Sequence, residues 1–158
     1  MLKNNLICLV IHILVGIVSY KFLYPIWALL IIIAGGGQTL LIVGAIITFI
    51  ISLNLYFILG KKLLKRYDTL KSIFSVSAVA IIGVGIWIFS YDFPYKTYTL
   101  NHSLDLRGLL YSMYNMYIVA LIQQFESRNP LILIWFSFLP SVLMWCGLKR
   151  KIENKTFN

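Results

Sequence analysis

The chain has 158 residues, of which 60% are hydrophobic and 12% are charged, and its mean hydropathy is +0.86. Soluble globular domains carry about 25% charged residues, so this composition excludes an ordinary soluble domain and favours a membrane protein. One helical span takes about 20 apolar residues, so the length allows about four to six spans. It leaves no room for a separate soluble domain.

The net charge of +9 comes mostly from cations beside the ends of the apolar runs. Short loops rich in Lys and Arg stay on the cytoplasmic side of a membrane, so these clusters predict the orientation of the helices. They do not require a nucleic-acid partner, because no soluble face carries a basic patch with stacking aromatics. The cations predicted to set the topology are Lys61, Lys62, Lys65, Arg66, Lys71, Lys149, Arg150 and Lys151.

The first predicted span covers about residues 6–24 and ends at an aromatic and cationic boundary around Lys21. The next apolar run begins at Pro25, is too short to cross a bilayer and stops at three consecutive glycines, which break helices. We expect an interfacial or re-entrant half-helix over 25–37. A second span then follows over about 38–59 and ends at the basic loop.

A third span is predicted over about 72–91, since this run carries no charge. The fourth covers about 130–148, and residues 92–129 between them are predicted to form an outer cap. Within the cap, the moderately apolar segment 109–125 is typical either of a helix lying in the membrane interface or of one facing a bundle interior. Its three tyrosines, spaced by three, are Tyr111, Tyr114 and Tyr117.

The predicted fold class is therefore all-α, a polytopic membrane protein with a compact bundle of four transmembrane helices. Five or six spans result if 25–37 and 109–125 also insert. The four-span arrangement places every dense cation cluster and both termini in the cytoplasm, as expected for a multi-pass protein of the cell membrane. Residues 1–151 form a single transmembrane domain, and 152–158 form a polar cytoplasmic tail.

Each predicted span carries a stripe of small or weakly polar residues at helical spacing. Such stripes mark the faces through which helices pack in lipid. The stripes are Cys8, His12, Gly16 and Ser19; Gly44, Thr48, Ser52 and Tyr56; Ser75, Ala78 and Gly85, with Ser77, Ala80 and Gly83 beside them; and Ser137 and Ser141.

His12 is the ionisable residue that lies well inside a predicted span, and intramembrane ionisable groups are candidates for function. We predict that it takes part in packing or in binding, together with Tyr111, Tyr114 and Tyr117 as a possible aromatic platform. No intramembrane carboxylate accompanies it in the sequence, which argues against a proton relay.

A second group of candidates lies in the predicted outer cap. His102, Asp105 and Arg107 combine a base, a carboxylate and a guanidinium within six residues, a set that could perform acid–base chemistry on an anionic substrate. The same residues are more typical of a solvated loop, in which Asp105 and Arg107 bind water or pair with each other. We assign no catalytic residue beyond these weak candidates.

The residue patterns predict no metal site and no cofactor, because two distant histidines and two distant cysteines do not form a ligand set. The expected function is a non-catalytic accessory, assembly or immunity-like subunit. Its expected partners are membrane lipids, other membrane proteins or a second copy of itself. One alternative is a small transporter or channel with a path lined by His12 and the small-residue faces. The other is a membrane-embedded enzyme that acts on a lipid-linked substrate through the outer-cap candidates.

Overall fold

The structure, a computed structural model, describes residues 1–65, 67, 69–90, 106–125 and 130–156. Within these residues every regular element is helical, which confirms the all-α fold class. The elements in chain order are α1 (Leu2–Ile17), a π-helical segment (Val18–Leu23), α2 (Tyr24–Ile33), α3 (Gln38–Leu63), α4 (Thr69–Phe74), α5 (Ser77–Ser90), α6 (Leu106–Tyr114), α7 (Met116–Phe125) and α8 (Pro130–Thr156).

Two helices in the described part of the chain are long and apolar enough to cross a membrane. They are the continuous run Leu2–Ile33, with 32 residues, and α3, with 26 residues. At 1.5 Å per residue these lengths correspond to about 48 Å and about 39 Å, against a hydrocarbon core of about 30 Å. Ser77–Ser90 is also apolar but shorter.

The first helix does not break where the sequence predicts. The expected boundary near residue 24 lies inside a continuous helical run, so residues 24–33 extend the first helix instead of starting a separate half-helix. The break comes at the three glycines, where Gly35 adopts φ 68°. Glycine tolerates this left-handed conformation because it has no Cβ.

The π-helical segment explains why Pro25 does not end the helix. In a regular α-helix the proline ring clashes with the carbonyl four residues before it, here that of Lys21. The turn over Val18–Leu23 is widened, and the Tyr24 N–H bonds to the carbonyl of Ser19, five residues back. The chain therefore returns to α geometry with the proline in the first turn of α2.

The predicted third span, 72–91, is not one helix either, because a turn at Ser75 and Val76 separates α4 from α5. A side chain from α8 is inserted at this point. The Ala80 N–H donates to Ser141 Oγ (3.1 Å), and the Ser141 hydroxyl donates to the Val76 carbonyl (2.8 Å). The hydroxyl thus occupies the place of the direct bond between Ala80 and Val76, a recognised cause of helix kinks.

The helices pack as a bundle in which α3 and α8 make the closest approach. A Cβ built on Gly60 would lie 2.7 Å from the Met144 Cα, and one built on Gly147 would collide with the Phe57 carbonyl. α5 also packs against α8, and α1 packs against both α3 and α5. The broken helix α6–α7 fills the interior, with α6 on α5 and α7 on α3 and the π-helical segment.

The predicted small-residue faces are buried in three of the four helices. Cys8, His12, Gly16 and Ser19 face inward, as do the α3 stripe and the serines of α8. On α5 the prediction is partly wrong. Ala80 and Gly83 are buried, whereas Gly85 is exposed with nothing near its Cβ position, because α5 turns its Gly83 side toward Ser137 and Tyr114.

The cationic segments meet at one end of the bundle. Asn4, near the start of α1, is fully buried and bonds to both backbone groups of Lys65, through Nδ2 to the carbonyl (2.7 Å) and through Oδ1 to the N–H (3.0 Å). Gly147 of α8 packs against the backbone of Lys61. The described cations of the topology prediction therefore lie together, while their sidedness relative to a membrane stays a prediction.

Candidate functional site: a buried polar and aromatic cluster around His12

His12 lies at the centre of the bundle and is 1% exposed. Its Nδ1 is 2.8 Å from the hydroxyl oxygen of Tyr56, which comes from α3 and is completely buried. A buried imidazole needs such a partner, since leaving its polar atoms unbonded costs about 1–3 kcal/mol. The bond ties α1 to α3 at mid-height.

Three tyrosine rings surround the imidazole. The ring centroid of Tyr114 is 4.4 Å from that of His12, and those of Tyr56 and Tyr117 are 5.8 Å and 5.9 Å away. Tyr56 and Tyr117 also meet edge to face, with centroids 5.4 Å apart. We call His12, Tyr56, Tyr114 and Tyr117 the His12 cluster.

The hydroxyls of the α6–α7 tyrosines are all used for structure. Tyr114 donates to the Val79 carbonyl of α5 (2.6 Å), and Tyr117 donates to the Phe136 carbonyl of α8. Tyr111 donates to the Leu133 carbonyl, also of α8 (2.8 Å). The three tyrosines therefore face the bundle interior, which is the second of the two orientations predicted for the segment 109–125.

The break between α6 and α7 places these tyrosines. Asn115 is fully buried, and the Ile118 N–H donates to its carbonyl (3.0 Å), a bond to the third residue back instead of the fourth. The resulting bend directs Tyr114 toward α5 and Tyr117 toward α3 and α8. Of the predicted binding residues, His12, Tyr114 and Tyr117 come together directly, and Tyr111 lies one turn away.

A second polar contact lies farther along the same pair of helices. The hydroxyls of Ser19 and Ser52 are 2.6 Å apart, and one donates to the other. The hydroxyl that accepts this bond donates in turn to a carbonyl of its own helix, that of Val15 for Ser19 or that of Thr48 for Ser52. α1 and α3 are thus held by two buried polar contacts. Contacts of this kind between membrane helices contribute about 0.6 kcal/mol on average.

Four buried polar atoms have no hydrogen-bond partner among the described residues: His12 Nε2, Thr48 Oγ1, Asn115 Oδ1 and Ser137 Oγ. Such groups are rare in native proteins and are usually satisfied by an ordered water. Two of the four, on His12 and Asn115, flank Tyr114.

In the described part of the chain, neutral rings surround His12: its ring contacts are with Tyr56, Tyr114 and Tyr117. The buried polar residues of the described chain are His, Asn, Ser and Thr, with no carboxylate, Lys or Arg among them. The described residues also hold no group of three or more His, Cys, Asp or Glu that could bind a metal.

The outer-cap candidates are not brought together by the described part of the chain. His102 and Asp105 lie outside the described residues, and Arg107 is in α6 with its side chain outside them. The proposed site for an anionic substrate therefore stays a prediction. Cys8 is buried and Cys146 is half-buried, and both are free thiols.

Sequence reasoning did not identify the bonding roles of three residues that organise the interior, Tyr56, Asn4 and Ser141. Tyr56 appeared only as part of a packing stripe, although its spacing of four from Ser52 already placed it on the inner face. Asn4 and Ser141 form hydrogen bonds with residues that are 61 or more positions away in the chain. No local pattern signals such partners.

No family model, no curated protein and no solved structure matches this chain. The His12 cluster and the surface of the bundle are therefore the observations from which a function can be argued.

Proposed function

We propose that this chain is a multi-pass protein of the cell membrane, with both termini cytoplasmic, that has no catalytic centre of its own. It serves as an accessory, assembly or immunity-like subunit and acts through contacts with lipids or other membrane proteins.

The single observation that carries this proposal is the inverted distribution of polarity. Large apolar side chains point outward, and those of Ile32, Ile81 and Trp135 are 68%, 68% and 72% exposed. Polar side chains point inward, and those of Ser52 and Asn115 are completely buried. Water-soluble proteins show the opposite preference for polar groups, while lipid favours an apolar exterior with internally bonded polar groups.

The non-catalytic part of the proposal is supported by how the buried polar groups are used. Tyr56 is the partner of His12 Nδ1, and the hydroxyls of Tyr114 and Tyr117 hold neighbouring helices through backbone carbonyls. These groups are committed to packing. The described surface offers other molecules apolar contact area, together with exposed cations such as Lys62 and Lys149.

A small carrier or channel is the second candidate, and the unpartnered buried atoms favour it. His12 Nε2, Thr48 Oγ1, Asn115 Oδ1 and Ser137 Oγ could bond to waters or to a small polar solute within the bundle. The tyrosine rings around His12 oppose a continuous path. Measuring the flux of small polar solutes into liposomes separates the carrier from the accessory subunit. Loss of transport in His12→Ala favours a carrier, and the absence of flux at any pH excludes one.

Membrane extraction followed by co-purification tests the main proposal. We expect the full chain to stay in the membrane fraction through alkaline carbonate washing. After mild detergent extraction, the chain should co-purify with a lipid or a membrane protein in stoichiometric amount. The control, a tagged unrelated multi-pass protein of similar size, should not co-purify with the same lipid or protein. Release by carbonate contradicts membrane integration. A solitary monomer, free of lipid and protein, contradicts the accessory role.

A further inference from the structure

An apolar groove, open to the outside, lies between α5 and α8 and has a volume of about 570 Å³. This volume falls within the range of sites that take small organic ligands, about 300–1,000 Å³. We define the α5–α8 groove by six of its lining residues: Val76, Ala80 and Val84 on one wall, and Phe138, Val142 and Trp145 on the other.

The groove is concave because small residues form its floor between larger side chains on its rims. The floor residues Ser77, Ala80 and Ser141 keep their polar atoms within the protein. The Ser141 hydroxyl bridges Ala80 and Val76, and the Ser77 hydroxyl donates to the Phe74 carbonyl (3.0 Å). The groove therefore offers an occupant carbon–hydrogen surface with no polar group in need of a partner.

One end of the groove carries a positive charge. Lys149 follows Trp145 by one helical turn on α8, is exposed, and places its Nζ 5.8 Å from the centre of the Trp145 ring. This is the end of the bundle at which the cationic segments meet. The groove thus changes from apolar walls to a cation over one turn of helix.

We propose that the α5–α8 groove binds one molecule of an anionic phospholipid. An acyl chain lies between Ala80 and Val142, and the phosphate contacts Lys149 beside the indole of Trp145. The charge at one end selects this occupant, because a cation beside an apolar slot matches a negative headgroup joined to an apolar tail. The bulky rims at Ile81 and Phe138 suit a flexible chain better than a second helix, which packs best on small residues. The inference rests on the proposed membrane embedding and names one of its lipid contacts.

Native mass spectrometry of the purified full chain tests the proposal. Phosphatidylglycerol and phosphatidylcholine with identical acyl chains are titrated in a neutral detergent. We expect one phosphatidylglycerol to bind at least fivefold more tightly than phosphatidylcholine. Lys149→Gln should lower the affinity for phosphatidylglycerol about fivefold, which is the effect of one cation near a headgroup. It should leave the affinity for phosphatidylcholine unchanged.

Two further variants complete the test. Lys62→Gln is the matched control, since it removes an exposed cation at the same end of the bundle but on α3, and should leave binding unchanged. Val142→Trp fills the groove from a rim position that is 49% exposed, so it should weaken both lipids without disturbing the core. Unchanged helical circular dichroism verifies folding.

Several results overturn the proposal. Equal losses of phosphatidylglycerol affinity in Lys149→Gln and Lys62→Gln would show that general surface charge attracts the lipid. Equal binding of the two lipids would exclude the headgroup contact. Displacement by glycerol phosphate indicates a headgroup site without the groove. A dimer abolished by Val142→Trp assigns the groove to a second copy. A chain that integrates into membranes but shows no lipid preference contradicts this inference alone, whereas failure to integrate contradicts the proposed function.

Discussion

Gly147→Ala is expected to lower the free energy of unfolding by about 2 kcal/mol, the cost of overpacking a tight contact. A methyl group at this position collides with the Phe57 carbonyl and lies 2.9 Å from the Lys61 backbone nitrogen. Both are backbone atoms, so no rotamer change relieves the clash and α8 must move away from α3. Reversible unfolding in mixed detergent micelles, followed by circular dichroism, measures the effect.

Gly85→Ala is the matched control for this variant. Gly85 lies in α5 with nothing within 4 Å of its Cβ position, so alanine should leave stability unchanged or raise it by up to about 1 kcal/mol through helix propensity. Equal stability of the Gly147→Ala and Gly85→Ala variants would contradict the close approach of α3 and α8 through Gly147.

Tyr56→Phe is expected to lower the free energy of unfolding by about 1–3 kcal/mol. The substitution leaves the Nδ1 atom of His12 buried without its hydroxyl partner. Burying a polar group that has no partner costs the full free energy of its desolvation. His12→Phe should be similarly costly, because the Tyr56 hydroxyl is then the stranded group. The double variant should lower the free energy of unfolding by less than the sum of the two single effects, since removing both partners leaves neither Nδ1 nor the hydroxyl of this pair unpaired.

The double-mutant cycle decides whether His12 and Tyr56 act as a pair. We expect a coupling of about 0.5–1.5 kcal/mol between the two substitutions. Tyr20→Phe, which removes a hydroxyl from a half-buried tyrosine elsewhere on the first helix, serves as the control and should cost less than about 0.5 kcal/mol. Additive effects of the two core substitutions would contradict a structural hydrogen bond at the centre of the bundle.

The inward faces of the helices could be predicted from the sequence because helical periodicity fixes which side chains share a face. The stripe from Cys8 to Ser19 and the stripe from Gly44 to Tyr56 both proved to be buried. The gathering of the cationic segments at one end was expected because short segments rich in Lys and Arg stay on the same side of a membrane.

The helix breaks could not be predicted in the same way, because they depend on contacts between distant parts of the chain. Pro25 and the neighbouring aromatic residues suggested a boundary, but a widened turn accommodates the proline. The run 72–91 appeared unbroken, yet the Ser141 hydroxyl from α8 separates α4 from α5. A local pattern contains no information about a partner 61 residues away.

The candidate site was predictable in part. His12 was identified from its polarity within an apolar run, and Tyr114 and Tyr117 from their helical spacing. That these three meet depends on the bend at Asn115, and Tyr56 completes the cluster from a third helix. Spacing defines a face on one helix, whereas a site assembled from three helices needs their mutual packing.

The proposed function requires that the apolar exterior faces lipid while the cationic end faces the cytoplasm. Single cysteines introduced into a chain without its native thiols, at Val10, Ile81 and Lys62, test it most directly with a membrane-impermeant maleimide. We predict that Lys62→Cys reacts only when the cytoplasmic side is accessible, and that Val10→Cys and Ile81→Cys react only after detergent dissolves the membrane. Rapid labelling of Val10→Cys and Ile81→Cys from water in intact membranes would show that this exterior does not face lipid.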